Sequence, residues 1–347
     1  MMISNLNEAI TAIDNGGLAP NSEIFLMNRG FGPEVARRLS SALRCKDFPE
    51  GLRINLCRNQ IKAEGLCYLS QALRSGQCPQ GLRIDLRSNG VGTEGAYYLS
   101  QALRSGQCPQ GLIIQLGENA IGDAGVGYLS QALMSGRCPE GLSIHLSYNG
   151  IGAEGAHHLS EALMSGQCPE GLSISLRLNK IGDEGVGYLS QALRSGRCPQ
   201  GLCIDLGANR IGDEGVRFLS EALRSGRCPE GLSISLKYNE IGFEGVSHLS
   251  NTLQSGQCPE GLSINLRGNR ITEEGINRLV RSLIGQELKG YQIQVDRPYQ
   301  AIIDHVLSVD NKLKLLCAPL TQLGRQRNLP DVVLAKTMSY LLAQEGE

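Results

Sequence analysis

From Gly51 the chain repeats itself every thirty residues without insertion or deletion, through starts at Gly81, Gly111, Gly141, Gly171, Gly201, Gly231 and Gly261. Residues 171–200, GLSISLRLNKIGDEGVGYLSQALRSGRCPQ, are representative. A degenerate unit begins at Asn21 and keeps Ile24, Leu26, Phe31, Gly32, Glu34, Leu39, Ala42, Leu43 and Pro49, making nine units over residues 21–290. A fixed period of this length leaves one kind of solution, a solenoid in which each unit contacts only its neighbours. Positions within a unit are numbered 1–30 below, from the glycine or Asn21.

Each unit divides in two. Ile174 and Leu176 alternate with Ser173, Ser175 and Arg177, a period of two that predicts a short strand with one buried face. Asn179, at position 9, ends it; its equivalents are Asn59, Asn89, Asn119, Asn149, Asn209, Asn239 and Asn269. Where the chain turns sharply the backbone loses ladder partners, and an asparagine amide can both donate and accept, so these residues are expected to stack as a ladder. Ile181 returns to the core. Val186, Leu189 and Leu193 then follow at helical spacing, with Asp183 and Glu184 at the positive end of the helix dipole and Ser195-Gly196 at its stop. Pro199 prevents the helix from continuing.

Outside the repeat, residues 1–20 are expected to form a capping helix, with Leu6, Ile10 and Ile13 on one face and Asn15-Gly16-Gly17 as its end. Residues 291–347 leave the period. Helical patterns from Pro298, from Asn311 to Leu316 and beyond Pro330 read either as a helical cap or as a small helical module that binds a partner or carries a secretion signal.

At this point the run L-x-I-x-L-x-x-N-x-I-G-x-E-G-x-x-x-L-S-x-A-L resembles ribonuclease-inhibitor-like leucine-rich repeats over about 270 of the 347 residues. That resemblance implies an α/β horseshoe, with a parallel β-sheet on the concave face and helices on the convex face. Position 1, usually Leu in that class, is Gly here, so the return loop should differ. The S-G-[QR]-C-P-[QE]-G-L linkers also resemble leucine-rich-repeat effectors that Legionella-type bacteria inject into host cells. That second resemblance implies a secreted virulence protein acting in the host cytoplasm without a cleaved signal peptide.

Little in the chain points to catalysis. Cys78, Cys108, Cys138, Cys168, Cys198, Cys228 and Cys258 share position 28 and read as a packing ladder in a reducing compartment, not as disulfides or metal ligands. The acids at positions 13 and 14 recur at helix starts and read as dipole partners. His157-His158 falls where other units carry Tyr68, Tyr98, Tyr128, Tyr188 and Phe218, so His158 reads as one more ring of the helix face. Cys317, followed by Ala318-Pro319, lacks the surroundings of a ligase nucleophile. No catalytic residue, cofactor or metal is expected, and no apolar run approaches the length of a membrane span.

Binding is expected on the exposed sheet positions 3, 5, 7, 8 and 10. From Gly51 on these hold ten basic residues, Arg53, Arg58, Arg83, Arg87, Arg177, Lys180, Arg210, Lys237, Arg267 and Arg270, against four acidic ones, Asp85, Glu118, Asp205 and Glu240. The excess is six positive charges on a chain whose net charge is −1. His145, Tyr148 and Tyr238 join them, and Tyr and Arg are the types enriched at interface hot spots. The expected function is non-enzymatic protein binding by a monomer, with an acidic protein surface as partner and nucleic acid disfavoured. The alternative is a regulator of a host enzyme, of the GTPase-activator or nuclease-inhibitor type.

Overall fold

The computed structural model describes residues 1–44, 48–283, 290–297, 299–301 and 303–304. The helices expected from Asn311 and beyond Pro330, and Cys317, lie outside the described residues.

Each unit gives one strand and one helix. The strands are β2 (Glu23–Phe25), β3 (Arg53–Asn55), β4 (Arg83–Asp85), β5 (Ile113–Gln115), β6 (Ser143–His145), β7 (Ser173–Ser175), β8 (Cys203–Asp205), β9 (Ser233–Ser235) and β10 (Ser263–Asn265). The helices are α2 (Pro33–Leu43), α3 (Lys62–Leu73), α4 (Gly92–Leu103), α5 (Gly122–Leu133), α6 (Ala153–Met164), α7 (Gly182–Arg194), α8 (Asp213–Leu223), α9 (Phe243–Leu253) and α10 (Glu273–Leu283). All strands pair in parallel with their sequence neighbours in one open sheet. The register is a shift of one unit, Ile54 opposite Ile84 and Ile84 opposite Ile114. Strands stack about 4.8 Å apart whereas packed helices need about 8–10 Å, so linked units fan apart on the helix side and the sheet lines the inner face.

The sheet is one strand longer at each end than the nine units supply. Met2–Ile3 forms β1 against β2, ahead of helix α1 (Leu6–Asp14). The Asn5 carboxamide caps α1, accepting from the backbone N–H of Asn7 at 2.8 Å and Glu8 at 3.3 Å. Ala9 and Ile13 are its buried residues, while Ile10 is only half-buried. At the other end β11 (Gln292–Gln294) adds to β10 with Ile293 opposite Ile264, one residue short of the full period. Tyr291, Ile293 and Val295 fill the core positions there. The side-chain amide of Gln300 then accepts from Val295 N–H at 2.8 Å and donates to the Ile293 carbonyl at 3.2 Å, blunting the last edge.

The core runs continuously between the layers. Leu172, Ile174, Leu176, Ile181, Val186, Leu189, Ala192 and Leu193 are buried, as are most of their equivalents; Phe31 and Ile271, in the end units, are half-buried. From Gly51 on, two glycines in each unit have a local reason. Position 1 is left-handed (φ +66° at Gly171), and a Cβ there would lie 3.6 Å from the Cα of Gly141. A Cβ at that distance makes ordinary contact, so it is the left-handed backbone that favours glycine over the usual Leu at position 1. At position 15, a Cβ on Gly185 would lie 2.5 Å from Ile181 Cγ2 and 3.2 Å from Ala156 Cβ. No helix of the described residues is long and apolar enough to cross a membrane.

The asparagines form the expected ladder. Asn179 Oδ1 accepts from the N–H of Asn149 at 2.9 Å and of Ile151 at 3.1 Å, both one unit earlier. Its Nδ2 donates to the carbonyls of Leu146 and of its own Leu176, each at 2.9 Å. Asn179 therefore satisfies two donors and two acceptors in a buried site. The first unit has Arg29 at position 9, and Asn59 of the second unit accepts from its N–H.

The acids at positions 13 and 14 separate in a way the helix-dipole reading misses. The position-14 glutamates stay exposed; Glu94 and Glu184 accept from the hydroxyls of Tyr98 and Tyr188, at 3.1 and 3.2 Å. Position-13 aspartates instead cap the helix of the following unit. Asp183 Oδ1 accepts from Gly212 N–H at 2.7 Å and Gly215 N–H at 3.0 Å. Asp123 does the same for Gly152 and Gly155, and Asp213 holds Gly242. Each capped glycine is extended, with φ −101° to −109°. Where the preceding unit has Pro33, Ala63, Thr93 or Ala153 instead, position 12 is left-handed: Lys62 +57°, Gly92 +65°, Gly122 +63° and Gly182 +61°.

The choice propagates one unit further. A left-handed position 12 donates its N–H to the next asparagine carbonyl, as Gly182 does to Asn209 at 3.1 Å, and the following residue, Arg210, is left-handed at +59°. An extended position 12 frees the position-11 carbonyl, which accepts from Lys180, Glu240 or Arg270 at 2.7–2.9 Å; none of these three has a positive φ. In the units that follow Asp123, Asp183 and Asp213 an aspartate thus accompanies an extended loop in the next unit and a position 10 without positive φ in the unit after that; Gly32, before Pro33, is extended without one, and Gln60 stays left-handed.

Replacing Asn179 with Ala should cost at least ~3 kcal/mol of unfolding free energy in denaturant titration, because four buried backbone groups lose partners. Asp183→Ala should cost about 1 kcal/mol, the worth of a cap. It should also speed amide hydrogen exchange at Gly212, Gly215 and Glu240 while leaving the same positions of the Asp123-capped unit unchanged.

Candidate protein-interaction face

The inner face consists of rows running across the strands. In the position-3 row Arg53 and Arg83 are exposed side by side on β3 and β4, with Glu23 next to Arg53 in register. The row then becomes neutral and less exposed, through Ile113 and Ser143. Among the expected site residues Arg58, Arg87, Glu118, Tyr148, Arg177, Lys180, Arg210, Tyr238 and Arg270 are also exposed, and Asp85, His145, Asp205, Lys237 and Arg267 are half-buried.

Several of these charges are occupied within the chain. Asp85 Oδ1 accepts from the backbone N–H of Arg87 at 3.0 Å and its carboxylate grips the Arg87 guanidinium at 2.6 Å. Asp205 closes the same turn on Gly207 at 3.0 Å, as Asn55 and Asn265 do in their units. These position-5 acids end the strands, a role the alternation did not reveal. Arg270 pairs with Glu240 at 3.2 Å, and Arg267 donates to the Val295 carbonyl at 3.0 Å. Glu118 accepts from the Ser88 hydroxyl at 2.8 Å. His145 Nε2 lies 3.1 Å from Ser143 Oγ, and burial pulls its pKa down, so it adds no charge at neutral pH. Among the described residues Arg53, Arg58, Arg83, Arg177, Lys180, Arg210 and Lys237 have no ion-pair partner. The paired residues cancel one for one, so the positive excess survives.

The outer face carries different chemistry. His158 takes the expected ring position, between Glu154 at 3.7 Å and Glu161 at 3.6 Å, and His157 packs edge-on against Tyr188 with centroids 4.7 Å apart. One donor atom each of Glu154, His157 and His158 falls within 4.8 Å of the others, a convergence that adjacent histidines in the sequence did not reveal. The carboxylate is exposed and both imidazoles are half-buried.

The Cys ladder is inert. In each unit from Cys78 to Cys228 the thiol donates to the position-22 carbonyl at 3.4 Å, as Cys198 does to Ala192. Burial pushes these six thiols up to about 12.

A family model described as "Leucine Rich repeat" matches residues 82–100, 142–160, 172–190 and 202–220. The fold is a leucine-rich-repeat solenoid. Each matched segment runs from the position-2 leucine into the helix, through the strand and the ladder asparagine, and the unmatched units keep the same register. Among solved structures the solenoid is similar to Leiomodin-1 Actin-Binding Site 2, at 13% identity over 43% of this chain and 86% of that one, with a TM-score of 0.33. No curated protein matches.

At pH 8 iodoacetamide should leave Cys78, Cys108, Cys138, Cys168, Cys198 and Cys228 unmodified in the folded protein and alkylate all six in denaturant, read by peptide mass spectrometry. Their folded pKa lies above the unfolded value near 9, so the unfolded chain deprotonates first. The stability they confer is complete below pH 9 and should fall as pH rises toward 12.

Proposed function

We propose that this leucine-rich-repeat chain is a non-enzymatic protein-interaction scaffold whose sheet face grips an acidic surface on a protein partner. One observation carries the reading: seven basic side chains of that face, from Arg53 to Lys237, have no ion-pair partner among the described residues. A face with a net positive excess steers an oppositely charged partner and offers it bidentate guanidinium contacts on docking. A parallel sheet one strand deep supports this chemistry because its backbone is wholly consumed by neighbouring units, leaving only side chains to specify the partner.

The linker resemblance supports a narrower version, in which the chain is an effector of Legionella-type bacteria and the partner a protein of the host cytoplasm, met by a monomer. A regulator of a host enzyme would use the same face, and acceleration of GTP hydrolysis by a captured GTPase would mark that case.

The test is capture from a cell lysate by the full chain and by a variant carrying Arg53→Glu, Arg83→Glu, Arg177→Glu, Lys180→Glu and Lys237→Glu. Recovery of the acidic partners should fall at least tenfold, and wild-type capture should weaken between 0.1 and 0.5 M salt. Undiminished capture by a folded variant would overturn the reading.

A further inference from the structure

Position 8, the second residue beyond each strand, has the same backbone in every unit. Its N–H donates to the position-7 carbonyl of the next unit: Tyr148 to Arg177 at 3.0 Å, Leu178 to Gly207, Ala208 to Lys237 and Tyr238 to Arg267, all at 2.8 Å. This ladder holds the row left-handed whatever the residue, at φ +57° for Tyr148, +58° for Leu178 and +56° for Ala208 and Tyr238. Asn and Gly adopt that conformation readily, and they occupy the two ends of the row, as Asn28 and Gly268. Between them stand side chains poorly suited to it. Tyr148, Leu178 and Tyr238 are also 64%, 44% and 59% exposed. Strained backbone and exposed apolar surface coincide at three positions of one row, and their exposed parts meet no compensating core.

The row has shape as well as exposure. Ala208 leaves a break between Leu178 and Tyr238. The Arg177 stem crosses Gly207, where a Cβ would lie 3.4 Å from its Cγ, and its guanidinium reaches to 5.9 Å from the Tyr238 ring centre. Tyr238 in turn lies over Gly268, whose Cβ would meet the ring at 2.4 Å. Tyr148 and Tyr238 are three strand spacings apart, about 14 Å, the length of roughly four extended residues.

We infer that this row docks an extended acidic peptide segment of the protein partner, with an aliphatic or aromatic side chain seated over Ala208 between Leu178 and Tyr238, and flanking carboxylates on Arg177 and Lys180. The inference rests on the scaffold reading above and locates its energetic centre away from the Arg53–Arg83 end. A peptide is favoured over nucleic acid because Glu118, Asp205 and Glu240 interrupt the cations of this stretch, leaving no continuous cationic track for a phosphate backbone, whereas a peptide needs only a few carboxylates placed on Arg177 and Lys180.

The experiment pans a displayed library of random twelve-residue peptides on the full chain, then measures the selected peptides against Tyr148→Asn/Leu178→Asn/Tyr238→Asn, against Arg53→Glu/Arg83→Glu, and in competition with a uridine 15-mer RNA. Selected peptides should combine Asp or Glu with one large apolar residue. The triple variant should weaken them at least tenfold with an equal or higher Tm, since Asn suits the left-handed row. The arginine pair should change affinity less than threefold and the RNA should not displace them. The inference is overturned if no peptide is enriched, if the triple variant binds normally or loses Tm, or if the arginine pair or the RNA abolishes binding. Lysate capture separates the two readings: partners lost by the charge-reversed face but kept by the triple variant leave the scaffold standing and remove this site.

Discussion

The asparagine ladder is the interaction on which the rest depends. A strand of three residues followed by a sharp turn strands several backbone groups in a buried layer. Asn179 answers four of them at once, two in its own unit or its predecessor by donation and two by acceptance. Because its carbonyl oxygen serves the unit before, no unit is complete without the next. Stacking is therefore enforced by hydrogen bonding as well as by the shared core, and the thirty-residue period cannot drift.

On this frame the loops carry information. An aspartate at position 13 converts the following loop from left-handed to extended by offering a carboxylate to two amides. The change frees a carbonyl that fixes the backbone of Lys180, Glu240 or Arg270 in the unit beyond. The exposed loop residues Lys180 and Glu240, charged and not left-handed, thus follow Asp123 and Asp183, two units earlier in the stack. A residue that looks like routine helix-dipole chemistry in one repeat acts as a conformational determinant for the inner face.

The inner face divides accordingly. Asp85 and Asp205 end strands, Arg87 and Arg270 are held by carboxylates, and His145 is neutral. Arg53, Arg58, Arg83, Arg177, Lys180 and Arg210 are exposed, and among them runs a row whose bulky members sit in a conformation that favours Asn or Gly. Stability and recognition are thereby separated: core and ladder positions are nearly invariant from unit to unit, while positions 3, 7, 8 and 10 vary, position 8 even where its left-handed backbone favours Asn or Gly.

Much of this is legible in the sequence. The exact period fixes a solenoid, the alternation about Ile174 and Leu176 fixes the strand, and the spacing of Val186, Leu189 and Leu193 fixes the helix face, because each signal lies within one unit. The strands β1 and β11 escaped notice because they are two or three residues long and one arrives a residue out of step. What only the tertiary structure decided lies between units. Asp183 caps a helix twenty-nine residues onward, Arg177 reaches Tyr238 across two units, and position 8 turns left-handed because its amide bonds to a neighbouring unit. Residues thirty apart become adjacent only on stacking, so charge pairing, backbone hand and the shape of the binding row belong to the assembled array, while the period, the core and the ladder residues belong to the sequence.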